Sequence, residues 1–481
     1  MFTRLSLRIR IFLFFCLLAV GAMGLAGGAL WFGWSRAESD LPAAPFITAF
    51  VIFVFLNTGV IAAIWLLFDE NVAKPIGKLA TEMRLRAHSG VDKAVETDSA
   101  KYLGDLAPAA KAVSSTLSAN VMDRAGQVAR ETERLREETA RLTALLTEIP
   151  LATILVNPAH EIVLYDSQAA EFLSQIAPPR LKAPLADYFD ADSLAAAQAR
   201  LDKTKSECTA TLADVSGRRV VEVRFKPLDA GAYMLILDAK TASVDRLAAR
   251  PLVYDFGLLN VIRTTAIDDA PLSSLCFVAF DTETTGLSAQ TDDVVQLGAV
   301  RVLNGRVVPG ETLDTYVNPG RPIPPASTEI HRVTDGHVRG ASDFVTVGRN
   351  FHHFARDAVL VAHNAPFDLA FLHRFADRMG VEWTHPVLDT VLLSAVVFGT
   401  TEQHSLDALC DRLAITIPDN LRHTAFGDAQ ATAEALVRLI PLLEGKGLTT
   451  FGDVITETKR HGRLIQDQNV SQSRHQRAPD R

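Results

Sequence analysis

Two uncharged apolar runs near the N-terminus limit most strongly what this chain can fold into. The first is IFLFFCLLAVGAMGLAGGALWFGW at residues 11–34, and the second occupies residues 46–68. Each is long enough to cross a lipid bilayer as an α-helix. Trp31 and Trp34 lie at one end of the first run, where an interfacial aromatic belt is expected. A hydrophobic content of 48% and a mean hydropathy of +0.14 agree with two membrane-spanning helices.

The basic residues around these runs predict their orientation. Loop 35–45 contains a single basic residue, Arg36, and is too short for a sensor domain. The basic residues outside the two runs are Arg4, Arg8, Arg10, Lys74, Lys78, Arg84 and Arg86. Because cytoplasmic flanks carry the excess of Lys and Arg, we expect both ends of this segment in the cytoplasm of a bacterial-type inner membrane. A cleaved signal peptide is the alternative for the first run, whose length favours a span.

The overall charge and the cysteines narrow the choice of function. A net charge of -8 gives no chain-wide basic character, so contact with nucleic acid must come from a local patch. The four cysteines, Cys16, Cys208, Cys276 and Cys410, are scattered and form no CxxC pair. A disulfide framework or a zinc site is therefore not expected, and a reducing compartment fits.

Two helical segments follow the second run. Residues 71–118 form a helix, connector and helix directly after a membrane span, which resembles a HAMP signal-relay module. A plain juxtamembrane amphipathic linker is the alternative. Residues 119–149 then repeat apolar side chains every seven positions, at Val121, Val128, Leu135, Leu142 and Ile149. This heptad pattern predicts a parallel coiled coil and hence a homodimer, the alternative being one amphipathic helix packed on its neighbour.

Short strand patterns dominate after Pro150. They are ATILVNP, EIVLYDS, TATLAD, RVVEVRFKPL and AYMLILDA, and helical stretches separate some of them. With the preceding coiled coil, residues 143–240 resemble a PAS domain, a small α+β sensor module. The ligand of such a domain is unknown from this sequence, and His160 reads as a loop residue rather than a haem ligand. A linker, residues 241–273, follows.

A buried apolar strand followed by two acids stands out next, in CFVAFDTETTGL at residues 276–287. Asp281 and Glu283 are two positions apart, so in a strand they point to the same face. Converging carboxylates suit a hard divalent cation, although two acids at this spacing are also common at solvated strand ends. Strand and helix patterns alternate from here to about residue 445, which predicts an α/β layered fold.

Three more polar residues occupy the starts of later helices. Asp368 lies in the first turn of the helix predicted from FDLAFLHRFADRMG, and His423 and Asp428 surround the start of another. Each alone is an ordinary capping or loop residue. Together, however, DTETTGL, HNAPFDLAFL and HTAFGDA closely resemble the DnaQ-like family of 3′ to 5′ exonucleases, the DEDDh class. STEIHRVTDGHV, VLDT and HSLDALCDRL extend this resemblance over residues 274–446.

The resemblance implies a fold, an activity and a set of site residues. The fold is ribonuclease H-like, a mixed sheet flanked by helices. The implied ligands of two divalent cations, Mg²⁺ or Mn²⁺, are Asp281, Glu283, Asp368 and Asp428, and His423 is the implied general base. The residues implied to line the pocket of the 3′-terminal nucleotide are Thr284, Gly286, Leu287 and Phe367.

The chemistry implied by the family is phosphodiester hydrolysis at nucleic-acid 3′ ends. Two cations about 4 Å apart can serve the attacking and leaving oxygens together. A histidine can accept a proton from the attacking water at neutral pH. DNA and RNA both remain possible substrates, since no motif here reads a 2′-hydroxyl. His363 and Asn364 are expected to order a strand end rather than to act chemically.

The alternative function is a membrane signalling adaptor that keeps the nuclease fold as a binding platform. An adaptor has no need of four carboxylates and a histidine at the family positions, so the enzyme is favoured. The last segment, residues 447–481, is predicted to be a helical or disordered basic tail.

Overall fold

The computed structural model describes residues 7–36, 42–89, 103, 151–238, 252–259, 266–465 and 468–469. The predicted coiled coil at 119–149 and most of the HAMP-like segment lie outside these residues and stay predictions. The chain divides into two compact units, residues 1–125 and 126–481, and each is described by itself.

The first unit contains two long apolar helices. Helix α1 is Leu7–Ser35, α2 is Ala44–Phe68, and after a π-helical turn α3 spans Lys74–Ser89. By length and composition α1 and α2 can each cross a membrane. The two helices are antiparallel, since the Arg8 guanidinium, at the start of α1, donates to the Asp69 carboxylate just after α2, at 2.6 and 2.7 Å. This ion pair fixes the two outer ends of the helical hairpin to each other.

The second unit begins with an antiparallel sheet. Its strands are β1 Leu151–Val156, β2 Ile162–Tyr165, β3 Cys208–Ala213, β4 Val220–Pro227, β5 Tyr233–Asp238 and β6 Val253–Tyr254. They lie in the order β3-β4-β5-β1-β2-β6, and every neighbouring pair is antiparallel. Helices α4 Ser167–Ser174 and α5 Ala191–Thr204 connect β2 to β3. The sheet and helices form one α+β domain, residues 151–259, which we call the sensor-like domain; its PAS-like identity stays a prediction.

A mixed sheet forms the centre of the second domain of this unit. Its strands are β7 Cys276–Thr284, β8 Val294–Leu303, β9 Arg306–Tyr316, β10 Val359–Ala362 and β11 Val387–Asp389. The strand order is β11-β10-β7-β8-β9; β10 is parallel to β7 and β11, whereas β8 is antiparallel to both neighbours. Every residue of β8 is buried, because helices cover a central strand on both faces. The predicted mixed α/β fold is confirmed.

Eight helices of this domain surround the sheet in the described residues. They are α6 Pro325–His331, α7 Asp335–Val338, α8 Phe344–Ala355, α9 Ala365–Met379, α10 Thr390–Phe398, α11 Leu406–Arg412, α12 Ala425–Glu444 and α13 Phe451–Thr458. Phe280 of β7 packs on Phe351 of α8, with ring centroids 5.0 Å apart. Asp281 and Glu283 therefore lie on the opposite face, which α12 covers.

The domain extends beyond the predicted boundary at residue 446. Phe451 of α13 is buried, and its backbone N–H donates to the Ala270 carbonyl at 3.1 Å. Asn469 donates from its side chain to the Val387 carbonyl at 2.7 Å. Helix α13, which lies in the segment predicted to be helical or disordered, and the chain just after it thus pack on the folded domain. Burial of apolar α13 side chains gives the physical reason.

The sensor-like domain and the mixed-sheet domain share one hydrophobic core. Arg301 of β8 and Glu311 of β9 form an ion pair at 2.8 Å within it, and both side chains are at most 1% exposed. Glu311 also accepts hydrogen bonds from the Tyr165 hydroxyl, at 3.0 Å, and from the Leu181 backbone N–H, both in the sensor-like domain. A buried charge pair is tolerated only when its remaining hydrogen-bonding capacity is satisfied. The sensor-like domain supplies these partners of Glu311 and the Leu181 carbonyl, which accepts from Arg301 at 3.2 Å. The Phe354 carbonyl and Cys276 Sγ, in the mixed-sheet domain, accept the other Arg301 hydrogen bonds.

Candidate active site

Three carboxylates converge at the end of β7. Asp281 and Glu283 lie two residues apart on that strand, and Asp428 lies in the first turn of α12. One oxygen from each lies within 4.8 Å of the others. All three residues are partly exposed, so a ligand can reach them. This geometry is what a divalent cation with oxygen ligands requires.

The fourth predicted ligand, Asp368, lies beside this group but not within it. It lies in the first turn of α9 and is 2% exposed. Thr282 donates to its Oδ1 twice, from the backbone N–H at 3.0 Å and from Oγ1 at 2.6 Å. Both bonds hold the same oxygen, so Thr282 orients this carboxylate and leaves Oδ2 for another partner.

Burial, together with neighbouring negative charge, raises the pKa of each of the four carboxyl groups. Burial raises the pKa of Asp281 well above its usual value, and the neighbouring charges of Asp368, Glu283 and Asp428 raise it further. Burial likewise raises the pKa of Asp428 to about 6. A hard cation would relieve the repulsion, and carboxylate oxygens are its preferred ligands. The residues present therefore fit a divalent-cation site.

The close approach of α12 to the sheet depends on Gly298 and Gln296 of β8. A Cβ on Gly298 would lie 2.2 Å from the backbone of Ala425, the first residue of α12. Gln296 accepts from the Ala425 backbone N–H at 3.3 Å and donates to Asp314 at 2.8 Å. Together with the Thr424 cap at the same helix end, these contacts set the position of Asp428.

The start of α9 is held by a buried acid. Asp389 accepts from the backbone N–H of Ala365 at 2.8 Å and of Asn364 at 3.3 Å. Asn364 has a φ of +72°, and His363 Nδ1 lies 2.8 Å from the Thr390 hydroxyl. His363 and Asn364 thus occupy the end of β10, and Asp389 positions the helix that carries Asp368.

His423 precedes α12 by two residues and is exposed. It has a φ of +55°, in the left-handed region, and the backbone of His423 hydrogen-bonds Asp428. The exposed ring is accessible to a substrate, as a general base must be.

The four predicted substrate-binding residues surround the turn after β7. The Thr284 hydroxyl donates to the Gly286 carbonyl at 2.6 Å, and a Cβ on Gly286 would lie 2.5 Å from an Asp292 carboxylate oxygen. Leu287 is 89% exposed, and Phe367 packs edge-on against Phe371, with ring centroids 5.3 Å apart. Leu287 is thus an exposed apolar side chain four residues after Glu283 in the sequence.

Contacts from downstream residues hold the same turn in place. Ser327 of α6 donates to the Thr285 carbonyl at 2.8 Å, and Arg321 donates to the Thr285 hydroxyl at 2.7 Å. Sequence reasoning did not single out these residues, nor Thr282, Gln296, Gly298 and Asp389. Only Gly298 carries a sequence signal, since a glycine inside a strand often marks close backbone approach.

Replacing Thr282 with valine is expected to lower, by about tenfold, the hydrolytic activity that the family resemblance implies. Valine keeps the shape but removes the hydroxyl bond to a charged acceptor, which is worth about 1.5–3 kcal/mol. Mn²⁺ affinity, measured by calorimetry, should fall in parallel because Asp368 is no longer oriented. Thr282→Ser keeps the donor and should retain both properties. Unchanged Mn²⁺ affinity in a folded Thr282→Val protein would contradict this role.

Divalent cations are expected to stabilise the protein more at pH 8 than at pH 5. The pKa of Asp428 is higher in the folded chain, about 6, than in the unfolded chain, so without cation the free energy of unfolding falls as pH rises through this window. Cations bind the ionised carboxylates and offset that loss. The measurement is the rise in Tm on adding Mg²⁺ to the detergent-purified chain at both pH values. An equal rise at both would show that these carboxylates do not hold the cation.

Comparisons with known proteins agree with this site. A family model described as exonuclease matches residues 278–436. A "DNA polymerase III subunit epsilon-like protein" of Rhodobacter capsulatus is 32% identical over an alignment that covers 97% of this chain and 99% of the relative. A "DNA polymerase III PolC-type" of Streptococcus pyogenes is 36% identical over 169 residues, 35% of this chain and only 11% of that much longer relative.

Solved exonucleases are also similar to part of the chain. E. coli Exonuclease I in complex with a dT13 oligonucleotide is 18% identical, with a TM-score of 0.31, over 36% of this chain and 41% of that one. Exonuclease X in complex with 5′ overhanging duplex DNA is 24% identical, with a TM-score of 0.29, over 38% of this chain and 99% of that one. Neither likeness adds to what the family match shows.

The mixed sheet, the carboxylates at its strand end and the family match define the C-terminal domain as a 3′ to 5′ exonuclease of the DnaQ-like class. The predicted family resemblance is confirmed. The chain belongs to the family of DNA polymerase III subunit epsilon-like proteins.

Proposed function

We propose that this protein is a membrane-anchored exonuclease that removes nucleotides from nucleic-acid 3′ ends with two divalent cations. The convergence of Asp281, Glu283 and Asp428, with Asp368 held beside them, is the observation that carries this proposal. The cations would neutralise charge at the scissile phosphate and serve the attacking and leaving oxygens. The sites suit Mg²⁺ or Mn²⁺.

Side chains of the protein accept the proton and bind the 3′-terminal nucleotide. His423 takes a proton from the attacking water, and its exposure next to Asp428 supports this role. Thr284 and Gly286 shape the turn that receives the 3′-terminal nucleotide. Leu287 and Phe367 offer apolar surface to its base.

A digestion assay tests the reaction. The detergent-purified chain, with Mg²⁺, should shorten a 5′-labelled single-stranded oligonucleotide into a ladder that descends one nucleotide at a time from full length. The names of the relatives point to DNA as the first substrate to test, with RNA as the parallel arm. Products that begin with internal fragments would overturn the exonuclease assignment.

The membrane anchor consists of α1 and α2, with both ends of the hairpin in the cytoplasm. The Arg8–Asp69 ion pair supports this arrangement, since it joins the two ends that the basic flanks assign to one side. Ser39→Cys should react with an impermeant maleimide on intact cells, whereas Ser206→Cys should react only after lysis. Reaction of Ser39→Cys only after lysis would reverse the orientation.

The homodimer is proposed from residues 119–149. Replacing Leu135 and Leu142 with lysine should convert a dimer into monomers in light scattering, because charges in the apolar seam oppose helix pairing. A wild-type chain that is already monomeric would rule out the coiled coil.

A PAS-like sensor domain is proposed to modulate the nuclease. Its docking on β8 and β9 supports this, because the same two strands carry Gln296 and Asp314, which hold the start of α12. The Tyr165–Glu311 contact is thus connected to Asp428 through strand β9, strand β8 and the start of α12.

Replacing Tyr165 with phenylalanine is expected to change kcat severalfold while the protein stays folded. Phenylalanine keeps the buried ring but removes one of the hydrogen bonds to Glu311, which costs about 1–3 kcal/mol at a buried acceptor. Steady-state hydrolysis and Tm are measured together. Glu222→Ala, a change at an exposed acid of the same domain, is the control and should alter neither. A lower Tm with unchanged kcat would show that the contact is structural only.

A further inference from the structure

An aromatic pair lies near the catalytic strand and takes no part in the chemistry described above. Tyr316, the last residue of β9, is 40% exposed and stacks on His337 of α7, with ring centroids 5.3 Å apart and planes 16° apart. His337 is exposed, and its Nδ1 accepts from the Thr334 backbone N–H at 3.3 Å, which orients the ring. Exposed aromatic rings of this kind are what nucleobases stack on in single-strand binding sites.

The sheet register places Tyr316 on the catalytic face. Glu283 of β7 pairs with Gln296 of β8, and Gln296 pairs with Tyr316 of β9. Directly opposed residues share a face, so Tyr316 lies on the same face as Glu283. Neighbouring strands are about 4.8 Å apart, which puts the two Cα atoms about 10 Å apart. This spans about three nucleotides of a stacked strand, at about 3.4 Å for each nucleotide.

Two exposed arginines lie close to His337 in the sequence. Arg332 and Arg339 are exposed and lie on either side of His337 in the sequence. In the part of the chain that the structure describes, neither forms an ion pair with a carboxylate. Arg332 donates to the Asp419 carbonyl at 3.3 Å, which ties this segment to the loop that leads to His423. Aromatic rings alternating with arginines match the bases and phosphates of a single strand.

We propose that Tyr316 and His337 form a stacking platform for a nucleobase about three nucleotides upstream of the 3′ end, with Arg332 and Arg339 near the flanking phosphates. This inference rests on the proposed exonuclease function and extends it to the substrate. Stacking needs an unpaired base, so the platform selects a single-stranded 3′ end that is long enough to reach it.

The test compares two substrate lengths in the detergent-purified full chain with Mg²⁺. Tyr316→Ala should raise KM about tenfold for a single-stranded oligonucleotide of about 12 nucleotides, since loss of a base stack weakens binding on this scale. The KM for a dinucleotide, which cannot reach the platform, should stay unchanged. Tyr316→Phe keeps the ring and should behave as wild type. Tyr254→Ala removes another exposed aromatic, in the sensor-like domain, and should change neither KM.

Two results would overturn the platform. One is an unchanged KM for the longer oligonucleotide in Tyr316→Ala, and the other is an equal rise for both lengths, which would mean that the ring supports the catalytic strand. Anisotropy of the labelled 12-nucleotide oligonucleotide with Ca²⁺ reads binding without hydrolysis. If the wild type binds this oligonucleotide and Tyr316→Ala binds it about tenfold less tightly, the platform stands even if no hydrolysis is seen. Absence of hydrolysis by the wild type with Mg²⁺ would instead refute the exonuclease function.

Discussion

Asp428→Asn is expected to lower nuclease activity by about a thousandfold or more while the fold is preserved. Asparagine keeps the size of the side chain but removes a charge from the group of three oxygens within 4.8 Å. The start of α12 is held independently, by Gln296 and the Thr424 cap, so the helix should remain in place. Single-turnover hydrolysis, calorimetry with Mn²⁺ and circular dichroism measure activity, cation affinity and folding in turn.

The matched control for this variant is Asp407→Asn. Asp407 lies close enough to Asp428 to influence its pKa, yet it is exposed and pairs with Arg422 at 3.2 Å. The activity of the Asp407→Asn protein should stay within about twofold of wild type, because an exposed charge pair contributes little to stability. Retention of more than a tenth of wild-type activity by a folded Asp428→Asn protein would remove Asp428 from the cation site.

His423→Ala is expected to slow turnover by about a hundredfold or more and to leave cation affinity unchanged. General-base catalysis contributes about a hundredfold to ten-thousandfold, and the alanine variant keeps all four carboxylates. Added imidazole should restore part of the rate, since it can reach an exposed site. The contrast with Asp428→Asn separates the base from the ligands.

An opposite pattern would reassign His423. If the alanine variant loses Mn²⁺ affinity and imidazole restores no activity, the His423 side chain serves to support Asp428, whose carboxylate it influences through its charge, rather than to accept a proton. Mn²⁺ calorimetry and the imidazole titration decide between the two roles.

The parts of the site that depend on local geometry could be predicted from the sequence. Asp281 and Glu283 share a face because a strand alternates. Asp428, by contrast, indicates on its own only an ordinary capping acid at the start of a helix. Only the family resemblance predicted that these residues form one site. The orientation of Asp368 could not be predicted, because it depends on Thr282, 86 residues away in the sequence, and a threonine in a strand has many ordinary partners.

In the fold too, local features could be predicted from the sequence and long-range contacts could not. The apolar run VVQLGAVRVL correctly indicates a buried strand, but Arg301 within it has no meaning until its partners are known. Those partners lie on the next strand and in another domain, where Tyr165 is 146 residues from Glu311. A buried charge can be explained only by long-range contacts, and no periodicity encodes them.

The shared core has a thermodynamic consequence for how the second unit melts. Independent domains unfold in separate transitions. The two sheets of this unit bury one continuous core and one ion pair, so we expect both sheets to unfold together. Calorimetry should therefore record one cooperative transition for both. Any small molecule that binds the folded sensor-like domain then raises the melting temperature of the nuclease by mass action, even if it changes no distance at the carboxylates.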